Sequence, residues 1–397
     1  MRPLQGLRVL DLSRVLSGPF CTMNLGDMGA DVIKIEEPGK GDDTRAFGPP
    51  FIEGVSTYFL SINRNKRSVA VDLKHPDGVK LVQRLAAKCD ILVENFRPGV
   101  AERLGLGHEA LRAENPRLIY CSISGFGHGG LPEWTKLPGY DVVIQGLSGL
   151  QHLTGEADGP AMKVGVSISD LLTGMTAFQT ILLALYERER TGEGRFLDVS
   201  MLDATTQVLT FQAAAHLIAG KNPMRMGNRH PSIAPYEAYR ASDRAFNVAV
   251  GNDVQFAKLC EVLGVPALAE DERFRQNRSR VEHRDALASE LEPRFSTACA
   301  SEWVAHLQKA GIPAGEISDL PTALSHPQLH ARGMIEELVH AVAGRITLLG
   351  SPLHAGSPAE PSRPPPQLGE HTTEVLHELL GFAAGDVARL MTDRVVA

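Results

Sequence analysis

Short apolar runs and amphipathic stretches alternate through the first half of the chain. Leu7 to Leu12 reads as a buried strand, Phe20 to Met28 as a helix and Ala30 to Ile35 as the next strand. Ser68 to Leu73 follows as a strand, and Pro76 then opens a helix whose Val79, Leu81, Val82 and Leu85 share one face. Ile91-Leu92-Val93 and Leu118-Ile119-Tyr120-Cys121 have the continuous apolar character of strands covered on both sides. This alternation predicts an α/β domain built on a Rossmann-like, doubly wound parallel sheet. Ligands of such sheets gather at the carboxyl ends of the strands.

A further strand is predicted from Met162 to Ile168, running into a long helix. Leu171, Met175, Phe178, Leu182 and Leu185 recur there at helical spacing, and Thr191-Gly192 closes the run. Asp170 therefore falls in the first helical turn, with Ser169 as the expected N-cap. Free amides and the helix dipole favour negative charge at that end, so Asp170 is expected to be ionised at neutral pH. An Asp so placed is either a cap or a nucleophile. Its position alone leaves both readings open.

Beyond Gly220 the pattern breaks. Pro223, Gly227, Pro231 and Pro235 interrupt 221–235, which reads as an extended linker. A hairpin is expected from Tyr236 to Arg240 and Phe246 to Val250, turning at Ser242-Asp243. Helices are expected at Val254–Leu263, Val281–Phe295 and Ser301–Ala310. After Met334 come Ile346-Thr347-Leu348, a proline-rich run from Pro358 to Pro366 and two short helices. The expected division is a large domain, 1–220 plus 335–397, and a smaller α+β domain, 225–330.

Composition narrows the function classes. The chain has 397 residues, 43% hydrophobic and 22% charged, enough for two globular cores. A net charge of -7 argues against general nucleic-acid binding, which needs surplus Lys and Arg. The five cysteines are scattered and never form CxxC, so neither a zinc framework nor a disulfide scaffold is expected, and no metal site. The opening Met1 to Gly6 leads directly into a strand and no apolar run approaches the ~20 residues of a membrane span, so a soluble, cytoplasmic protein is expected.

Gly125-Phe126-Gly127-His128-Gly129-Gly130 fits GxGxxG, but Pro132 follows at once and no periodic helix begins. It reads better as a flexible loop near a site than as a dinucleotide fingerprint. Arg64, Lys66, Arg67, Lys74, Arg97 and Arg103 cluster around strand ends, where they suggest an anion site suited to several phosphates.

The chain resembles the class III CoA-transferases, the family of formyl-CoA transferase, carnitine CoA-transferase and α-methylacyl-CoA racemase. The resemblance rests on Val9-Leu10-Asp11 with Gly18-Pro19, Gly26 to Ala30, Val32-Ile33-Lys34-Ile35-Glu36 and Asn65-Lys66-Arg67. It continues through Glu94-Asn95-Phe96-Arg97-Pro98-Gly99, Gly139-Tyr140-Asp141 and the Asp170 segment, and reaches His371-Thr372. Gly26-Asp27-Met28-Gly29, Gly41 to Arg45 and Val254-Gln255-Phe256 are most similar to the branch that takes succinate and hydroxymethylglutarate.

The resemblance implies that Asp170 carries covalent intermediates while CoA passes from an acyl-CoA donor to a free carboxylic acid. Succinyl-CoA is the expected donor, and glutarate or hydroxymethylglutarate the expected acceptor. Coenzyme A enters as part of the substrate, and no separate cofactor is implied. Gly251 and Asn252, with Asp253, match the family's glycine-rich loop over the nucleophile, with fewer glycines. CoA contacts are implied at Val15, Leu16, Ser17, Val71, Lys74, Asn95, Phe96, Arg103 and Met201. Lys74 and Arg103 would pair with phosphates, and Val71 and Phe96 would flank adenine. Glu37 and Pro138 depart from the family, where many relatives carry Arg and Lys. Arg45 or Arg229 is a candidate grip for a distal carboxylate. An interlocked-ring homodimer is also implied.

Two other functions fit the same family. Racemases shift an α-proton and use His where this chain has Tyr140. A phenol, with a pKa near ~10 in water, is a poor base at pH 7, so Tyr140 favours transfer. A catalytically silent acyl-CoA binding protein would follow from loss of the loop over the nucleophile; the presence of both Asp170 and Tyr140 argues against it.

Overall fold

The computed structural model describes residues 2–353 and 361–397. The chain divides into two units, Met1–Leu150 with Lys163–Ala213 and Pro327–Ala397, and Gln151–Met162 with Ala214–His326. Residues 151–162 and 214–220 thus group with the second unit, whereas 1–220 is expected from sequence to stay together. Residues 358–360 of the proline-rich run lie outside the described residues.

The first unit is built on six parallel strands: β1 (Arg8–Asp11), β2 (Asp31–Glu36), β3 (Lys66–Ala70), β4 (Ile91–Glu94), β5 (Ile119–Ser124) and β6 (Phe196–Ser200). Their spatial order is β3-β2-β1-β4-β5-β6, the doubly wound order, which reverses direction between β1 and β4. Successive strand residues point to opposite faces. Val9, Val32, Ile91 and Ile119 accordingly pack on helices α1 (Ser17–Asp27) and α4 (Ile168–Thr191). Leu10, Ile33, Leu92 and Tyr120 face the other way, onto α2 (Pro76–Ala86) and the C-terminal segment.

That segment completes the unit. Val396 bridges to Val71, and Thr372 Oγ1 accepts the Ala70 amide at 3.1 Å. Helix α4 is long and apolar enough to suit a membrane crossing, but its Ala177, Phe178, Ile181, Ala184 and Leu185 are buried against the sheet.

No strand forms over 162–168. Met162 to Ser167 is irregular and largely exposed, because Gly165 and Lys163 break the apolar run and no neighbouring strand among the described residues pairs with it. Asp170 therefore follows an irregular segment rather than a strand.

The second unit holds an antiparallel sheet in which Ala245–Ala249 pairs with both Tyr236–Arg240 and Ala314–Glu316. Phe246, Phe256, Phe274, Phe295 and Trp303 fill its core. The linker residues 221–235 contain no helix or strand, and the hairpin forms as the sequence predicts.

Candidate active site

A cleft of about 540 Å³ opens in the first unit at the carboxyl ends of β1, β4 and β5. It gathers Val15, Leu16, Ser17, Asn95, Phe96, Arg103, Tyr140, Asp170 and Met201, residues far apart in sequence. A neighbouring cavity of about 220 Å³ shares Arg14, Phe96 and Val100 with it and adds Val71 and Lys74. Gly251 and Asn252 belong to the second unit.

The loop after β1 is fixed from below by buried charge. Asp11 accepts the Ser13 amide at 3.0 Å, Lys34 Nζ donates to the Ser13 carbonyl at 2.8 Å, and Asp42 accepts the Val15 amide at 3.3 Å. Lys34 and Asp42 pair at 2.8 Å with no exposed side-chain surface. Burial alone would raise the Asp42 carboxyl, but Lys34 and Thr44 bring it down to about 2. Asn95 clasps the loop from the side, bonding both the amide and the carbonyl of Arg14 at 2.8 and 2.7 Å. These ties hold Val15 at φ 69°, a left-handed conformation unfavourable for a β-branched residue. Ser17 then begins α1 with its hydroxyl bonded to the Asp170 carboxylate.

Gly174, one turn beyond Asp170, permits that bond. A Cβ there would lie 2.6 Å from the Ser17 carbonyl, so only glycine lets α4 pack so closely on the start of α1.

Helix α4 begins at Ile168 with Ser167 at its N-cap, so Ser169 is not the cap. The capping acceptor comes instead from another helix: Asp141, at the start of α3 (Asp141–Leu147), accepts the Ser169 amide at 2.9 Å. Asp170 is also not the freely ionised carboxylate that a helix start predicts. Burial first and the Asp141 charge second push it up to about 7, against the opposing Ser17 bond. Desolvation and a like charge here outweigh the helix dipole.

Glu94 ends β4 beneath the cleft, and its carboxylate accepts the Phe96 amide at 2.7 Å. Burial pushes it up to about 7 as well. Tyr58 stands near the nucleophile end, hydrogen-bonded to Ser167 and pushed above its ordinary range by burial and by Asp170. Nothing in the sequence pattern marks Tyr58.

Several charges expected near the ligand are occupied elsewhere. Arg64 pairs with Asp27, Lys66 with Asp11, and Arg67 with Asp31, Glu374 and Glu378, so these three stabilise the fold rather than form an anion site. Arg45 holds Glu36 through two bonds of 2.7 Å and stacks on Phe59. Arg229, in the second unit, pairs with Glu237 and Asp285. Lys74 is exposed and bonded to Glu37 at 2.7 Å. The cations that line the cleft are Arg14, Arg97 and Arg103.

Within the second unit, Gly251 donates its amide to Gln255 Oε1 at 2.8 Å, and Asn252 caps the following helix through the Gln255 amide at 2.9 Å. Asp253 is tied to buried Arg280 at 2.7 Å. The segment is a hydrogen-bonded cap as it stands.

The family model for CoA-transferase family III matches residues 4–372. The chain belongs to CoA-transferase family III. Succinyl-CoA:glutarate CoA-transferase of Mus musculus is 43% identical over 397 residues, covering 100% of this chain and 91% of that protein. Acetyl-CoA:oxalate CoA-transferase of Acetobacter aceti is also 43% identical, over 96% of each chain. A CAIB/BAIF family protein from Brucella suis superposes with a TM-score of 0.85 at 43% identity, covering 95% of this chain and 99% of that one.

Proposed function

We propose that this CoA-transferase moves CoA from succinyl-CoA to glutarate through covalent intermediates on Asp170. The observation that carries the reading is the Asp170 carboxylate, raised by burial and by the charge of Asp141, in a cleft that also presents Ser17 and Tyr140. The substrate pair follows the mouse relative.

In the first step an Asp170 carboxylate oxygen attacks the thioester carbonyl. The C–S bond breaks, and CoA leaves as thiolate from an acyl-aspartyl anhydride. The thiolate then attacks the Asp170 carbonyl, releasing succinate and leaving an aspartyl-CoA thioester. Glutarate attacks that thioester to form a second anhydride and free the thiolate again. Attack of the thiolate on the glutaryl carbonyl yields glutaryl-CoA and restores Asp170. Tyr140 would donate a hydrogen bond to an acyl oxygen, and Arg103 and Lys74 would meet phosphates. Val71 and Phe96 offer an apolar bed for adenine.

The interlocked homodimer belongs to the same proposal. Leu183 and Tyr186 on α4 are 67% and 65% exposed, and Leu217 and Ile218 on the helix Thr210–Ala219 are 81% and 86% exposed. Apolar surface of that extent fits cover by a second copy.

The test is incubation with succinyl-CoA and a panel of carboxylic acids, oxalate included, with new acyl-CoA read by mass spectrometry. Glutaryl-CoA is expected. Loss of α-deuterium from a 2-methylacyl-CoA without transfer would support the racemase instead, and transfer surviving in Asp170→Ala would sink the mechanism.

A further inference from the structure

Asp141 shares the cleft with Asp170 and Asp43, and none of the exchange steps above uses it. Its Oδ1 accepts the Ser169 amide at 2.9 Å and its Oδ2 accepts Gln145 Nε2 at 2.8 Å. Gln145 is fully buried and turns its own Oε1 to the Val164 amide at 2.9 Å. One short helix thus fastens Val164 in the irregular stretch and Ser169 in the first turn of α4 just beyond it. Asp170 is the next residue.

The same arrangement puts two carboxylates in one cleft, with the charge of Asp141 acting on Asp170. A capping amide or hydroxyl at 141 would accept the Ser169 N–H equally well without the charge. The charge therefore has a consequence separate from the hydrogen bond.

We infer that Asp141 is a positioning residue whose charge also destabilises the free carboxylate of Asp170, so that acylation of Asp170 relieves a repulsion. This inference rests on Asp170 being the nucleophile. The free enzyme carries two adjacent negative charges and the acylated enzyme carries one. An anhydride or aspartyl thioester is high in energy beside a relaxed carboxylate and less so beside a strained one. The upward push on Asp170, from burial first and Asp141 second, has the sign this requires. A carboxylate held at raised basicity is also a better nucleophile toward a thioester.

Ser17 from α1 bonds Asp170, Tyr58 lies on the Ser167 side, and Arg14, Arg97, Arg103 and Asp43 line the same cleft.

The experiment uses Asp141→Asn, which keeps an acceptor for Ser169 and removes the charge. Asp141→Ser serves as a second uncharged variant if the new amide clashes with Gln145 Nε2. Gln145→Ala breaks the hold on Val164 and leaves both charges. Each full-length variant is measured for kcat/KM against pH, and by intact mass for covalent CoA after succinyl-CoA is added without acceptor.

The acid limb is expected to fall by about one pH unit in Asp141→Asn, and the equilibrium for adduct formation by about tenfold. Gln145→Ala is expected to lower kcat with the acid limb unmoved. An unmoved limb and an undiminished adduct in both uncharged variants, with Asp170→Asn inactive, overturn the inference alone. Transfer by Asp170→Asn overturns the nucleophile assignment and the inference together.

Discussion

Gly125 and Gly139 meet backbone to backbone: a Cβ on Gly139 would lie 2.3 Å from the Gly125 Cα, and one on Gly125 2.6 Å from the Gly139 Cα. The first glycine of the GxGxxG pattern therefore has a use unrelated to nucleotides. It lets the segment bearing Tyr140 and Asp141 rest directly on the end of β5. Alanine at 139 must push that segment off the strand end.

Gly139→Ala is expected to lower kcat at least tenfold and to destabilise by about 1–3 kcal/mol, as overpacking does. Gly129 has open space around its would-be Cβ, so Gly129→Ala supplies a neighbouring control with near-native activity. Turnover and urea midpoints of the two variants decide the matter. Equal loss in both would show that the loop, not the contact, is responsible.

Lys74 reaches the second cavity but is held by Glu37. A phosphate must compete with that carboxylate for the ammonium. Glu37→Gln is therefore expected to lower KM for the CoA ester a few-fold, and Lys74→Ala to raise it, with kcat little changed in both. Steady-state kinetics at low salt, where an exposed pair is least screened, gives the clearest reading.

The sheet was legible because its strands are covered on both faces and read as continuous apolar runs, as in Ile91-Leu92-Val93. The residues gathered around Asp170 were legible only through resemblance, since Val15, Asn95 and Met201 carry no periodic signal. Met162 to Ile168 misleads because an alternating apolar pattern does not reveal whether a neighbouring strand is there to pair with it. Asp170 misled in its charge. Local sequence reveals the helix dipole, whereas burial and Asp141 come from tertiary packing. Arg64, Lys66 and Arg67 misled for the same reason, their carboxylate partners lying as far away as Glu374 and Glu378.

Lys34 and Asp42 form a fully buried pair under the Val15 loop. Removing one partner strands the other in the core, so Lys34→Met is expected to destabilise by about 3–5 kcal/mol. Asp42 has its folded value depressed to about 2 from 3.8. Its stabilising contribution is full above the unfolded value and is lost as pH falls through the folded one. Acid denaturation of the wild type should therefore steepen between pH 4 and 2. Asp42→Asn should flatten that part of the curve as well as lowering stability at pH 7, and an unchanged acid limb would count against the buried pair.

Asp170 has the opposite sign. Its folded value is raised to about 7, so between 3.8 and 7 the native state binds more protons than the unfolded chain. Stability therefore falls as pH rises through that window and stays reduced above it. Asp170→Asn removes the charge and its repulsion from Asp141, and is expected to be inactive yet more stable than the wild type at pH 8. The gain should be on the order of 2 kcal/mol and should shrink as pH falls toward 4. Thermal or urea unfolding at pH 5 and pH 8 measures it. A gap of the same size at both values would mean that Asp170 titrates normally in the folded protein. A gap that opens only at high pH would mean that the nucleophile is held against the preference of the fold, as a carboxylate awaiting acylation should be.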